Sequence, residues 1–242
     1  MIVLLTIILK PNFLFSQANI RLAPGFGWQT LHTYVKENMN ADSRFRPDNV
    51  STTPSYSLSL QIDIKSNWMI FAGWSACRPI LSYKYGYTAK NRGNFFALPS
   101  NNYPLGVQKT IGIHRWFKVN EKYNLLNLVR KTKTTTLDNR YLLLFRSRII
   151  SGISHHRVRS IQGNLSTTDQ TNMAVFLGLG LQFFSSGKDR LQLNILYSQG
   201  LKEIAQVDVD YFLDGKNYSG KLGSKASFFT VQIAYPMQLF QL

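Results

Sequence analysis

The sequence predicts an all-β fold: an eight-stranded antiparallel up-and-down transmembrane β-barrel, with short periplasmic turns at one end and longer extracellular loops at the other. Three observations predict it. Residues 172–183 alternate without a break, with Met173, Val175, Leu177, Leu179, Leu181 and Phe183 on one face and Ala174, Phe176, Gly178, Gly180 and Gln182 on the other. A period of two is the signature of β-structure. The long apolar face suits a strand crossing a bilayer, which needs about 9–11 residues, better than a sandwich strand of about 5–6. Seven further segments repeat the pattern. Finally, only 17% of the 242 residues are charged and 13% are aromatic, whereas soluble domains carry about 25% charge. A mean hydropathy of −0.14 is what an alternating barrel should show, because only one face of each strand is greasy.

The chain opens with the apolar run Met1 to Phe15, followed by Ser16-Gln17-Ala18 with small residues at the −3 and −1 positions of a cut after Ala18. This pattern predicts a signal peptide over 1–18, leaving an outer-membrane β-barrel domain over 19–242. The run has no positive residue ahead of it, and Lys10-Pro11 interrupts it. A buried N-terminal strand or helix is the competing reading. A membrane anchor is a weaker expectation, because the unbroken run falls well short of the about 20 residues that a spanning helix needs.

The first strand, 20–30, turns Ile20, Leu22, Pro24, Phe26 and Trp28 one way and Arg21, Ala23, Gly25, Gly27 and Gln29 the other. Strand 56–64 is the cleanest, with Tyr56, Leu58, Leu60, Ile62 and Ile64 opposing Ser57, Ser59, Gln61 and Asp63. After the short turn 65–67, residues 68–81 set Trp68, Ile70, Ala72 and Trp74 against Met69, Phe71, Gly73 and Ser75. Residues 104–118 carry Val107, Ile111 and Ile113 on one face, which Lys109 interrupts. Either the register slips there or Lys109 snorkels at a membrane boundary. Strand 140–155 sets Tyr141, Leu143, Phe145, Ile149 and Ile153 against Leu142, Leu144, Arg146, Arg148 and Gly152. The 172–183 strand turns tightly at 185–189 into 191–198, and 226–240 closes the series with Pro236 near its end, where strand prolines are tolerated. The links 36–54, 82–103, 157–171 and 200–225 read as long loops, with a strand extension through Val207, Val209 and Tyr211 in the last. The link 119–139 is also long, although it falls on the short-turn side by count.

The net charge of +16 first suggests nucleic acid, but the positive residues are scattered and lack an interleaved stacking platform. Nucleic acid is therefore not an expected partner. An anionic surface rich in lipopolysaccharide suits scattered charge better. The densest run forms a basic patch of Lys122, Arg130, Lys131 and Lys133; if periplasmic, it could meet other envelope or secretion proteins, and otherwise it is a solvated turn. The single Cys77 precludes an internal disulfide. Trp28, Trp68, Trp74, Tyr83, Tyr85, Tyr197 and Tyr235 are candidates for interfacial girdles, against the alternative of ordinary core aromatics.

If the aliphatic faces meet lipid, Arg21, Arg146 and Arg148 point inward with Asp63 as the clearest acidic partner, and buried charge must be paired. These four residues form a predicted lumen charge network, read either as a plug or as a cationic constriction admitting anions. The interior of an eight-stranded barrel is filled by side chains, which favours the plug. Ser154, His155 and His156 invite a hydrolase reading, but neighbours on a strand point to opposite faces, so Ser154 and His155 make no local dyad. His114, His155 and His156 lack a carboxylate at metal-binding spacing. No catalytic residue, metal or cofactor is expected.

The segments Phe15-Ser16-Gln17-Ala18, Gly178 to Phe183 running into Ser186-Gly187-Lys188-Asp189, Leu191 to Gly200, and the closing Phe229 to Leu242 resemble the small outer-membrane β-barrel proteins of Bacteroidota. The resemblance covers most of residues 18–242 in pattern, although the chain ends on Leu242 and not on an aromatic. It implies a fold and a place in the outer membrane, without a particular activity. The expected function is a non-enzymatic structural, adhesive or partner-binding role. The alternatives are a small anion or solute pore, an outer-membrane lipid hydrolase, and a soluble lipocalin-like barrel.

Overall fold

In the computed structural model, residues 19–37, 44–49, 51–65, 67–86, 92–97, 99–116, 143–158, 165–166, 171–185 and 188–241 are described. The predicted signal peptide, the link 119–139 and its basic patch of Lys122, Arg130, Lys131 and Lys133 lie outside these residues. In chain order the strands are β1 (Asn19–Glu37), β2 (Arg46–Pro47), β3 (Thr52–Lys65), β4 (Trp68–Cys77), β5 (Ile80–Lys84), β6 (Arg92–Ala97) and β7 (Ser100–Trp116). They continue with β8 (Leu143–Val158), β9 (Leu165–Ser166), β10 (Thr171–Ser185), β11 (Lys188–Gly200), β12 (Ala205–Leu213), β13 (Lys216–Ala234) and β14 (Met237–Gln241).

The main sheet runs β1-β3-β4-β7-β8-β10-β11-β13, and β13 pairs back onto β1. The result is a closed, antiparallel, eight-stranded barrel. Closure pairs the backbone groups that an open edge would expose. The eight strands coincide with the eight predicted segments. The break after β13 comes from Pro236, which has no N–H to give; the pairing resumes in the same register, from Gly25 opposite Ala234 to Leu22 opposite Met237. The Lys109 side chain stays on the outward face with its ammonium 5.1 Å from the centre of the Trp68 ring, and the β7–β8 register slips just beyond it, between Thr110 and Gly112.

The long loops hold more structure than predicted. The 36–54 link contributes β2, and residues 80–97 contribute the β5–β6 hairpin, which together form a separate three-stranded sheet. Residues 200–225 are largely a hairpin, in which β12 pairs with an upward extension of β13 from Ala205–Ser224 to Leu213–Lys216. Its turn is Asp214-Gly215, with φ of 51° and 80°. An Asp-Gly pair with both φ positive marks a two-residue hairpin turn that suits the strand twist, and this local signal lay in the sequence unread.

These pieces cover the long-loop end with a core of their own. Leu31, Phe45, Leu81, Tyr83, Val207 and Leu222 are among its buried members, and Cys77 is a small apolar filler there. Tyr83 and Tyr85 belong to this cap and not to a girdle: Tyr83 is 7% exposed, and Phe45 stacks on Tyr211 at 5.6 Å. Asp48 ties β2 to β5 through its ion pair with Lys84 at 2.8 Å. Lys36 reaches Glu203 at 2.8 Å. Partial burial pushes the Glu203 carboxyl up, but hydrogen bonds from Lys36 and Tyr34 outweigh it and hold the group below its usual range. Phe45→Ala should cost the cap about 3–5 kcal/mol of packing. Limited trypsin digestion should then cut the cap, while the shifted migration of the unboiled barrel on gels stays as in the wild type.

Candidate functional site

The two faces of the barrel wall have opposite chemistry. Leu177 and Leu179 on β10 are 61% and 63% exposed, while their neighbours Phe176 and Gln182 are 5% and 1% exposed. The same outward exposure holds for Leu58 and Leu60 on β3, Leu105 and Val107 on β7, Ile149 and Ile153 on β8, and Ile195 on β11. A continuous apolar band around a closed sheet far exceeds the few hundred Å² that soluble monomers expose in one patch. The chain is a membrane-spanning β-barrel. The band excludes the soluble reading, since a lipocalin-like barrel would turn these faces inward. Trp28, Trp74 and Tyr197 edge the band toward the cap, and Trp68 and Tyr235 edge it toward the short turns, all of them at least 40% exposed. This is the girdle arrangement of transmembrane barrels.

Inside, the wall is polar at each end of a short apolar waist. Near the short turns, Arg21 makes a two-pronged pair with Asp63, Nη1 to Oδ1 at 2.9 Å and Nη2 to Oδ2 at 2.7 Å, and Asn19 adds a bond to Asp63 Oδ2 at 3.3 Å. The predicted pair is thus formed, with side chains only 8% and 22% exposed. Arg146 and Arg148 also face inward, on β8 across the barrel from β1, and Arg148 is 1% exposed. Gly180 lies opposite it on β10, where a Cβ would crowd Asn194 Oδ1 at 2.7 Å and Ile150 Cδ1 at 3.0 Å, while Arg148 Nη2 at 3.6 Å would only be in ordinary contact. The waist is Phe71, Ile150 and Phe176, with Leu196 packed against them. Spanning the interior between β3 and β11, which are not neighbours, Gln61 and Gln192 exchange two amide hydrogen bonds of 3.0 and 2.9 Å.

Above this crossbar lies a chamber of about 100 Å³. Its polar wall includes Ser55, Ser57, Gln108, Ser154, His156 and Asn194, its apolar wall includes Phe71 and Phe176, and none of the described residues that line it is charged. Phe228, a buried member of the cap core, stacks on the His156 ring at 5.5 Å and 6°. The chamber also touches Leu58, Trp74 and Pro104. It reaches them where the β4–β7 pairing stops after Ala72–Leu105 and resumes at Ser75–Asn102. Pro104 has no N–H for this ladder, so the wall has a seam beside the chamber.

The structure separates the histidines as strand geometry requires. His155 is exposed on the outward face and His156 is buried on the lumen side, with Ser154 on the same side as His156. The sequence reading compared Ser154 with His155 and passed over this second pair, although an i, i+2 spacing on a strand was enough to find it. Neither Ser154 Oγ nor either nitrogen of His156 has a hydrogen-bond partner among the described residues. His114 lies on β7, with its side chain outside the described residues.

No family model and no curated protein sequence matches the chain. Solved structures do. The chain is similar to the outer membrane protein OprG from Pseudomonas aeruginosa at 9% identity, covering 93% of this chain and 98% of that one, with a TM-score of 0.43. It is similar to outer membrane protein AlkL in lipid bilayers at 11% identity, covering 93% and 92%, with a TM-score of 0.38. Ail, the attachment invasion locus protein of Yersinia pestis, is similar at 11% identity over 91% and 99%, with a TM-score of 0.35.

Removing one member of the Arg21–Asp63 pair strands a charge in a mostly buried site. Arg21→Met should therefore cost about 3 kcal/mol, seen as a lower urea midpoint in detergent. Pairing it with Asp63→Leu should recover most of that loss.

Proposed function

We propose that the chain is an integral outer-membrane barrel of the Bacteroidota type, without enzymatic activity, which holds a folded platform at the cell surface for adhesion or partner binding. The observation that carries this reading is the state of the long-loop end. A barrel built for free passage would leave its mouth open, whereas here the loops pack a hydrophobic core over it, and Val158, Ala226 and Phe228 extend that core into the top of the barrel. The cationic-constriction reading is less favoured, because Asp63 neutralises Arg21 where anions would have to pass.

The non-enzymatic reading rests on geometry. A serine nucleophile needs its base within hydrogen-bond reach and a third group to orient that base. Ser154 and His156 share a face without bonding each other, and no carboxylate lines their chamber among the described residues. The partners fit the charge pattern: Arg78, Arg157, Lys202 and Lys225 are exposed near the cap side of the band, where the phosphates of lipopolysaccharide would sit.

Purified protein in planar bilayers should give no steady current under voltage. A stable single-channel conductance would overturn the closed-platform reading in favour of the pore.

A further inference from the structure

We propose that the lumen chamber is a binding site for a small uncharged molecule that carries a hydroxyl on an apolar ring or chain. Six of the side chains around it present buried polar atoms with no hydrogen-bond partner among the described residues: Gln29 Oε1, Gln108 Oε1, Ser154 Oγ, both ring nitrogens of His156, Asn194 Oδ1 and Ser198 Oγ. Gln108, Ser154, His156 and Asn194 are each at least nine-tenths buried. Buried polar groups are almost always satisfied, and an unsatisfied one costs about 1–3 kcal/mol. A concentration of them around a single cavity marks a place where the partner comes from outside the chain.

The chemistry of the lining selects that partner. With no charged side chain among the described residues of the wall, an ion entering would lose its hydration with no countercharge from them to replace it. A hydroxyl both donates and accepts, and a neutral imidazole offers one nitrogen of each kind. The stacking of His156 on Phe228 sets the plane in which those nitrogens point. The apolar part of the guest is met by Phe71, Ile150, Phe176 and Leu196 at the waist. The chamber meets the wall at the break in the β4–β7 ladder beside Pro104, where Trp74 and Leu58 add to its apolar lining. The site is independent of conductance, so a silent barrel that binds nothing would overturn this inference and leave the closed-platform reading intact.

The test is magnetic resonance on the full chain in nanodiscs with isotope-labelled histidine, titrated with cyclohexanol and, in parallel, with cyclohexane and cyclohexanecarboxylate. Cyclohexanol should shift the His156 ring signals to saturation and give saturation transfer above that of empty nanodiscs, while neither analogue saturates. Ser154→Ala should weaken cyclohexanol binding by roughly 3–10-fold, the value of one hydrogen bond. His156→Phe, which keeps the stack on Phe228, should abolish binding in protein that still migrates as a folded barrel when unboiled; Ser154→Ala carries the test if that variant does not fold. Saturation transfer that rises linearly and equally in empty nanodiscs, equal His156 shifts with cyclohexane, or His156 signals that respond only to solvent water would each overturn the proposal.

Discussion

Closure of the sheet is the constraint on which everything else depends. In hydrocarbon no water can satisfy a backbone N–H or C=O, so a strand survives only with a partner on each side. The pairing of β1 with β13, from Gly25–Ala234 through His32–Ser227, supplies the last of those partners. Once the ring is shut with eight strands, its width is set, and the interior is narrow enough to be filled by side chains. Each residue then has one of two fates, determined by strand parity: facing lipid or facing a crowded lumen.

The inward residues solve the crowding in layers. Charge sits nearest the short turns, where Arg21 and Asp63 satisfy each other. The amide crossbar follows, then the apolar waist and the hydroxyl-lined chamber that it borders. Glycines permit the layering where two strands or a bulky group come close. A Cβ at Gly178 would stand 2.2 Å from the Ile195 carbonyl, so that glycine serves strand contact, while Gly180 leaves room for Asn194 and Ile150. At the top the lumen is covered by a second hydrophobic core, so the barrel and its cap share side chains such as Phe228 and His156.

The cap is the part that a strand-by-strand reading handled least well. Its pieces are short: β2 and β9 have two residues each and β5 has five. At that length alternation carries little signal, and the residues look like polar loop interrupted by tyrosines. Their burial comes from one another, with Phe45, Tyr83 and Tyr211 meeting from three separate links. Only Asp214-Gly215 announced its hairpin locally, through the φ > 0 geometry that this pair tolerates.

By itself the sequence determined the eight spanning strands, the lipid face of each and the inward placement of Arg21, Asp63, Arg146 and Arg148, because a period of two is local and belongs to the strand alone. It also placed Pro236 near the end of the last strand, since a missing N–H follows from backbone chemistry at one position. Only the tertiary structure decided which inward residues meet: Gln61 with Gln192 lies 131 positions apart, and no local pattern encodes that distance. The same is true of the chamber around Ser154 and His156 and of the core that covers it. Both arise where the closed ring brings strands from opposite walls within reach, and that proximity exists only after β13 has found β1.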